Sequence, residues 1–493
     1  MKKRIAVIGG GLGGLSAAIR LAVTGFDVHL FEQNSIVGGK AGSLNIKDFR
    51  FDTGPSLLTM PFVLEELINF AGENIGDYIK LKPLDIVCKY FYPDGTVLNT
   101  FSKREELINE LSKKLGESSG SINKYLDYSK RIYDLTAELF LFNSFSEPKT
   151  FLNKKALKTL FNLPRIDPFR TMHQANSSFF KNPKTVQLFD RYATYNGSNP
   201  YMAPATLNII QHVEYNLGAF VPEKGINSIP ETLHKIASKI GVKIHFNSKV
   251  KSIVTNENSV TGIVVENTEL QFDAVVSNAD VNYTYNNLLA GLESRQAEKY
   301  KSLEPSSSAI VFYWGVKGIH KEFEVHNILF SSNYKKEFED IFIEQKCSDD
   351  PTIYIYVSSK YNPGDAPDGC ENWFVMINAP YNKGQNWDNE INTTREKILN
   401  KIESVLKKEI RSNIICESIL DPVKIEINTS SKFGSLYGIS SNNKYAAFLR
   451  QRNRSKEFKG LYFCGGSAHP GGGIPLVLLS GKIAAELAAK DLA

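Results

Sequence analysis

Three glycines and one acid within the first 32 residues set the chemistry open to this chain. Gly9, Gly11 and Gly14, with Leu12 between them, keep the GxGxxG spacing. In that pattern the first glycine allows a tight turn, the second lets backbone approach a pyrophosphate, and the third lets a helix pack on a strand. The phosphates then meet the N-terminus of the helix that follows. Glu32 falls where a ribose hydroxyl would be met, and an acid there favours an unphosphorylated ribose, hence FAD or NAD over NADP. The spacing alone is a weak signal, because glycine-rich turns also arise for structural reasons, so its surroundings must carry the assignment.

Those surroundings fit. The apolar run Ile5-Ala6-Val7-Ile8 precedes the turn, Leu15, Ala18, Ile19 and Ala22 follow at helical spacing, Gly25 ends the helix, and Val28-Leu30-Phe31 predicts a second strand leading into Glu32 and Gln33. Two more glycine turns follow, one with Gly38, Gly39 and Lys40, the other with Thr53, Gly54, Pro55 and Ser56. Backbone amides freed at such turns can hold phosphate or flavin edge oxygens, and Lys40 can add a compensating charge; the plain alternative is two surface turns. A strand, glycine turn and helix recur near the other end, in Gly460 to Gly466, His469 to Pro475 (with Gly473, Ile474 and Pro475) and Leu476 to Ala489. Two such turns so far apart predict that both regions meet around one large ligand, which a nicotinamide dinucleotide alone does not explain.

A chain of 493 residues exceeds what one core usually organises, so two domains are expected, one of them assembled from separated segments. The net charge of +5 is small for this length and gives no reason to expect nucleic acid. Cys88, Cys347, Cys370, Cys416 and Cys464 form no CxxC pair and are odd in number, which argues against a disulfide framework and for a reducing cytoplasm. The histidines are dispersed, so no metal site is expected. The glycine turn that follows Met1-Lys2-Lys3-Arg4 after only four apolar residues interrupts any signal-peptide pattern, and no apolar run is long enough to span a bilayer.

Between the two ends, Pro83 to Glu147 mixes short β-like runs with amphipathic helices and shows no catalytic spacing. From 149 to 184 there are eight Lys or Arg against one acid, Asp167. On a helical wheel, Phe151 to Leu163 sets Lys154, Lys155 and Lys158 opposite Leu152, Leu157 and Leu160, the pattern of an interfacial helix or of an ordinary solvated one. Tyr192 to Thr206 reads as a loop over a site or a domain connection, and Lys243 to Ala279 as a β-meander returning to a buried strand with Val250 at its start. Aromatic-rich strands with polar helices from 292 to 450 predict an antiparallel sheet domain whose rings line a cavity or fill a core.

With Gly9 to Gly14, Glu32, Gly38-Gly39-Lys40, Asp52 to Pro55, Ser277-Asn278-Ala279-Asp280 and Gly465-Gly466 to Pro475 in order, the sequence resembles the bacterial carotenoid desaturases of the phytoene desaturase family over nearly its whole length. Arg191-Tyr192-Ala193-Thr194-Tyr195 with Ser198-Asn199-Pro200 is closer to the hydroxycarotenoid 3,4-desaturase branch. Two departures stand out: Pro222-Glu223-Lys224-Gly225 replaces the usual Pro-x-Gly-Gly near the flavin, and Lys40 replaces a commoner Arg, losing bidentate phosphate geometry.

The resemblance implies an α/β fold with a Rossmann-like, two-dinucleotide-binding, amine-oxidase-like FAD domain (1–80, 215–291, 452–493) and an α+β substrate domain (81–214, 292–451); the lysine face and local excess of positive charge make 149–184 its candidate membrane-associating part. It implies non-covalent FAD, its adenine side at Glu32, Gln33 and Val250 and its isoalloxazine near Gly54-Pro55-Ser56 and Gly473-Ile474-Pro475, with Asn278 and Ala279 close by. Cys464, ahead of a glycine turn, reads as a small buried thiol rather than a flavin tether. The implied reaction introduces a C=C bond into an acyclic or monocyclic, hydroxylated carotenoid, with oxygen or a quinone as final electron acceptor, at the inner face of the cell membrane. No nucleophile–base motif is needed, and Glu214, Glu223 and His212 are candidate proton acceptors by position only. A phytoene-type desaturase, a flavin-dependent carotenoid isomerase and a prenyl-lipid carrier of the Rab GDP-dissociation-inhibitor type are the rival readings.

Overall fold

The computed structural model describes residues 2–144, 163–443 and 450–493. The expected strand–turn–helix–strand forms as Arg4–Ile8, Leu12–Val23 and Asp27–Phe31. These strands sit inside a five-stranded parallel sheet in the order Leu461–Phe463, Ala274–Ser277, Arg4–Ile8, Asp27–Phe31, Lys243–His245. Near-continuous apolar runs suit this sheet because it is covered on both faces. Ile5, Val7 and Leu30 pack with the helices Leu12–Val23, Ser228–Lys239 and Ile474–Leu492. Ala6, Ile8 and Phe31 point the other way, onto the antiparallel meander Val250–Asn256, Ser259–Val265, Thr268–Gln271.

The two distant glycine turns are side by side because their helices touch. A Cβ on Gly481 would lie 2.4 Å from the Gly13 carbonyl oxygen, so the helices Leu12–Val23 and Ile474–Leu492 approach to backbone contact, and Ser16 Oγ donates to Leu478 O at 2.8 Å. Leu492, more than 450 residues from the first turn, accepts from Lys3 Nζ at 2.6 Å.

The second sheet corrects the sequence expectation in two respects. It has seven strands, in the order Ile414–Leu420, Ser308–Lys317, Cys370–Ala379, Ile353–Tyr356, His326–Leu329, Ile86–Phe91, Val97–Phe101, so two come from the stretch before residue 102. It is also not wholly antiparallel: His326–Leu329 runs parallel to Ile86–Phe91, because the chain leaves this sheet after Phe101 and re-enters through the long strand Ser308–Lys317. That long strand is two-faced. Ile310, Phe312, Trp314 and Val316 pack on the helix Trp387–Leu406, while Ala309, Val311 and Tyr313 face the other way with Phe51 and Phe374. A third cluster joins the helices Arg104–Leu115, Ser119–Phe140 and Ile209–Tyr215 under Tyr90, Tyr125 and Tyr192.

Among the described residues no helix is long and apolar enough to cross a membrane, and no group of three or more His, Cys, Asp or Glu could hold a metal. Lys154, Lys155 and Lys158, with residues 149–162 of the basic segment, lie outside the described residues.

Candidate active site

A single cavity of about 890 Å³ runs from the parallel sheet to the seven-stranded one. At its first end it is lined by Gly9, Gly11, Leu12, Glu32, Gln33, Gly38, Gly39, Lys40 and Val250. Further in come Thr53, Gly54, Pro55, Ser56, Asn278, Ala279, Gly465, Gly466, Gly473, Ile474 and Pro475. Of the residues expected from the sequence to hold the cofactor, only Gly14 stays off the wall. Its Cα is pressed on the first turn, where a Cβ would lie 2.1 Å from Gly9 O, so its part is packing.

This end suits a dinucleotide. Both helices that open on it, Leu12–Val23 and Ile474–Leu492, begin at glycines and carry no side-chain cap, so their first N–H groups are left for a ligand. Glu32 is buried, with Oε2 accepting from Gly10 N (2.7 Å) and Oε1 from Asn34 N and Nδ2 (2.8 Å each). The carboxylate thus clamps the glycine turn and, with three of its four lone pairs used, keeps one on Oε2 in hand. Gln33 Nε2 donates to Asn428 O at 3.0 Å.

Lys40 behaves differently from a simple phosphate counter-charge. Its Nζ donates to Leu436 O (2.7 Å) and Ser435 O (3.1 Å), tying the early turn to the chain across the cavity. Burial lowers its ammonium to about 8 against the opposing pull of Asp280. Arg450 is a second cation on the wall, donating to the carbonyls of Tyr437, Gly466 and Ile439, and burial lowers it to about 10. Nothing local marks it as a wall residue, because Arg450-Gln451-Arg452-Asn453-Arg454 reads as a solvated basic run. Cys464 is fully buried and does not line the cavity; burial pushes its thiol up.

The turn Pro222-Glu223-Lys224-Gly225 lies away from the cavity. Asp52 holds the backbone beyond it through Ile226 N (3.1 Å) and Asn227 N (3.2 Å), and Gly225 is packed on the Arg50 guanidinium. The expectation that it shapes the flavin face therefore has no support in its position.

Beyond Ser56 the walls become apolar: Leu57, Val87, Ile210, Val213, Val311 and Phe374. Two polar groups interrupt them. In the first, Tyr354 Oη lies 2.5 Å from Ser56 Oγ and 2.7 Å from His326 Nδ1. Burial, then the charge of Arg191, holds His326 down to about 3, so it is neutral. In the second, Glu214 accepts from Tyr192 Oη (2.5 Å), Arg191 Nη2 (3.2 Å) and Tyr195 Oη. In the sequence, Tyr354 is one aromatic of a strand, Arg191 is part of a branch signature, and Tyr195 belongs both to that signature and to the stretch from Tyr192 to Thr206.

The three candidate proton acceptors separate. Glu214 lines the cavity. His212 packs on Tyr133 and takes Asn216 Nδ2 at 2.7 Å, off the wall, because the helix Ile209–Tyr215 turns it away from Glu214. Glu223 is on the surface beside Lys82. The loop from Tyr192 to Thr206 covers the site, contributing Thr194, Tyr195, Pro204 and Thr206 to the wall. The cavity reaches the exterior at Phe169, which is 76% exposed and also lines it.

This arrangement of uncapped helix ends around one elongated cavity is that of a flavin oxidoreductase. The chain belongs to the family described as flavin containing amine oxidoreductase, whose pattern it matches over residues 12–489. It is 44% identical over 489 residues, 99% of each chain, to the 1-hydroxycarotenoid 3,4-desaturase of Flavobacterium sp. (strain P99-3). It is 34% identical to the 4,4'-diaponeurosporene oxygenase of Staphylococcus haemolyticus (98% of this chain, 97% of that one) and 33% to the 4,4'-diapolycopene oxygenase of a Methylomonas species (99% of each). An oxidoreductase from Methanosarcina mazei shares the fold with a TM-score of 0.66 at 16% identity, covering 98% of this chain and all of the other. Putrescine oxidase does so with a TM-score of 0.65 at 12% identity and 99% coverage of both. The carotenoid-desaturase resemblance read from the motifs is borne out by these relatives.

Proposed function

We propose that the protein is an FAD-dependent carotenoid desaturase that introduces a C=C bond into a hydroxylated acyclic or monocyclic carotenoid. The observation that carries this reading is the single cavity joining two uncapped glycine turns to a long apolar bore. When bound along the turns, FAD supplies a hydride acceptor for a C–H bond that no heteroatom activates. Gly9, Gly11 and Glu32 would hold its adenosine side, and Gly54 to Ser56 with Gly473 to Pro475 its ring end.

The chain's own residues then hold the polyene, keep water out and leave a single proton to be removed. Val311, Phe374, Ile210 and Val213 provide a wall that matches a hydrocarbon, and the covering loop closes one side. A proton beside an allylic cation is so acidic that a neutral acceptor suffices, which suits a bore with no solvated base. Of the three positional candidates, Glu214 is the one that lines the cavity, which supports it as the acceptor.

Segments 1–80, 215–291 and 452–493 as an FAD domain, with 81–214 and 292–451 as a substrate domain, remain our division of the chain. The two main sheets support it, since each draws its strands from one set. Oxygen or a membrane quinone would be the final electron acceptor. Peripheral binding through 149–184 at the inner face of the cell membrane follows from substrate physics. A carotenoid crossing water exposes about thirty apolar carbons at about 0.8 kcal/mol each, whereas entry from lipid into an apolar bore is near neutral. The exposed Phe169 at the cavity mouth is where lipid would meet it.

The test is product analysis after incubation of the purified protein with candidate carotenoids. A product two hydrogens lighter supports desaturation; unchanged mass would indicate an isomerase, and added oxygen an oxygenase like the staphylococcal relatives.

A further inference from the structure

The geometry points to Tyr195 as the residue that reads a hydroxyl on the end of the polyene, with Glu214 and Arg191 fixing its phenol as a hydrogen-bond acceptor; this rests on the carotenoid reading above. A hydrocarbon needs no polar partner, yet the apolar bore contains a buried guanidinium and a buried carboxylate. Taking both charges out of water is costly even when they pair, so their presence calls for a polar task or for a fixed geometry that serves one.

The hydrogen-bond directions define that task. Glu214 is acceptor-only, and its two oxygens receive Tyr192 and Arg191 on one side and Tyr195 on the other. The Tyr195 proton is thereby committed to Glu214. Its ring is held in place by Tyr192, with centroids 5.4 Å apart, and by the Arg191 guanidinium 5.6 Å from its centroid. Burial, then the charge of Glu214, pushes this phenol well above its ordinary range, so it keeps its proton at any working pH. Tyr195 is half-buried and lines the cavity, whereas Tyr192 is fully buried and does not. What Tyr195 offers the bore is an oxygen that can accept a hydrogen bond and has no hydrogen left to give.

Such an oxygen discriminates by the sign of its partner. A terminal hydroxyl donates to it. A bare hydrocarbon end leaves it unpaired, and a terminal carbonyl brings one acceptor against another, so both are disfavoured. The subsite is also near the Ser56–Tyr354–His326 group: the Arg191 guanidinium lies 5.2 Å from the Tyr90 ring centroid, and Ile328 is the register partner of both Tyr90 and Tyr354 on the strands beside it. Substrate hydroxyl and reacting bond would then be close neighbours along the chain. The numbering in the name of the Flavobacterium relative, a hydroxyl at carbon 1 and the bond at carbons 3 and 4, asks for the same closeness.

The experiment compares three ligands of one polyene skeleton, ending in a hydroxyl, in hydrogen and in a carbonyl. Each is presented in neutral lipid vesicles to the FAD-loaded protein and followed by quenching of intrinsic fluorescence. The wild type should bind the hydroxyl ligand at least tenfold more tightly than the other two. In Tyr195→Phe the three affinities should converge to within about twofold, with hydrocarbon binding and flavin content unchanged. Equal binding of all three by the wild type would overturn the proposal without reference to any variant, and so would a preference that survives in Tyr195→Phe. Failure to bind any of the three would refute the carotenoid reading itself, and the subsite with it.

Discussion

Replacing Glu32 by Gln isolates the adenosine end of the site. The side chain keeps its shape but exchanges one oxygen for an NH2 group. Glu32 now receives three hydrogen bonds, from Gly10 N at 2.7 Å and from Asn34 N and Nδ2 at 2.8 Å each. The better orientation of Gln keeps the single remaining oxygen on the two Asn34 donors and turns the NH2 group toward Gly10 N. That buried amide loses its acceptor, which costs about 1–3 kcal/mol of stability. The charged acceptor for a ribose hydroxyl is lost as well, worth about 1.5–3 kcal/mol for a hydrogen bond to a charged group, so FAD should bind about 10- to 150-fold more weakly. Urea unfolding of the apoprotein reads the first effect and equilibrium dialysis with FAD the second. Loss of stability with unchanged FAD affinity would reduce Glu32 to a clamp on the turn and refute its assignment to the ribose.

Gly14→Ala places a Cβ 2.1 Å from Gly9 O, so the first turn must open; the variant should lose about 1–3 kcal/mol of stability and purify without flavin, read by thermal melts and by absorbance. His326 and His469 are buried and held down to about 3 and about 4, chiefly by burial in each case, so the folded state keeps them neutral while the unfolded chain takes up protons below about pH 6.5. Their contribution is full above that pH and falls away as the pH drops toward the folded values, by about 2 kcal/mol each at pH 5; urea midpoints that match at pH 7.5 and pH 5 would contradict this. Changing Lys154, Lys155 and Lys158 to Glu should remove about 1 kcal/mol or more per residue of attraction to anionic lipid and abolish liposome co-sedimentation, with flavin content intact; unchanged co-sedimentation would leave that segment an ordinary solvated stretch.

The dinucleotide end was legible because each requirement there is local. The Gly9, Gly11, Gly14 spacing, the strand before it and the acid after it are read along one stretch, and physical proximity adds only that the Gly473 turn joins them through the contact of Gly13 with Gly481. The bore was not legible, because its polar groups come from elements far apart in sequence. Ser56, His326 and Tyr354 belong to a loop and two strands whose only sequence signal is β-like hydrophobicity, and Arg450 hides in a run of basic residues. The parallel pairing of His326–Leu329 with Ile86–Phe91 was missed for the same reason: alternation predicts a strand but carries no information about which neighbour it takes or in which direction. Glu214 could be separated from His212 and Glu223 only once the helix Ile209–Tyr215 had a fixed orientation over the cavity.

The central claim, that a bound flavin takes hydrogen from a polyene held in this cavity, is tested most directly by anaerobic single-turnover mixing of the flavin-loaded protein with a hydroxylated carotenoid. The account predicts bleaching of the flavin's visible band in step with a product two hydrogens lighter, with no nicotinamide cofactor present. A flavin that stays oxidised while product forms, or a strict requirement for NAD, would contradict it.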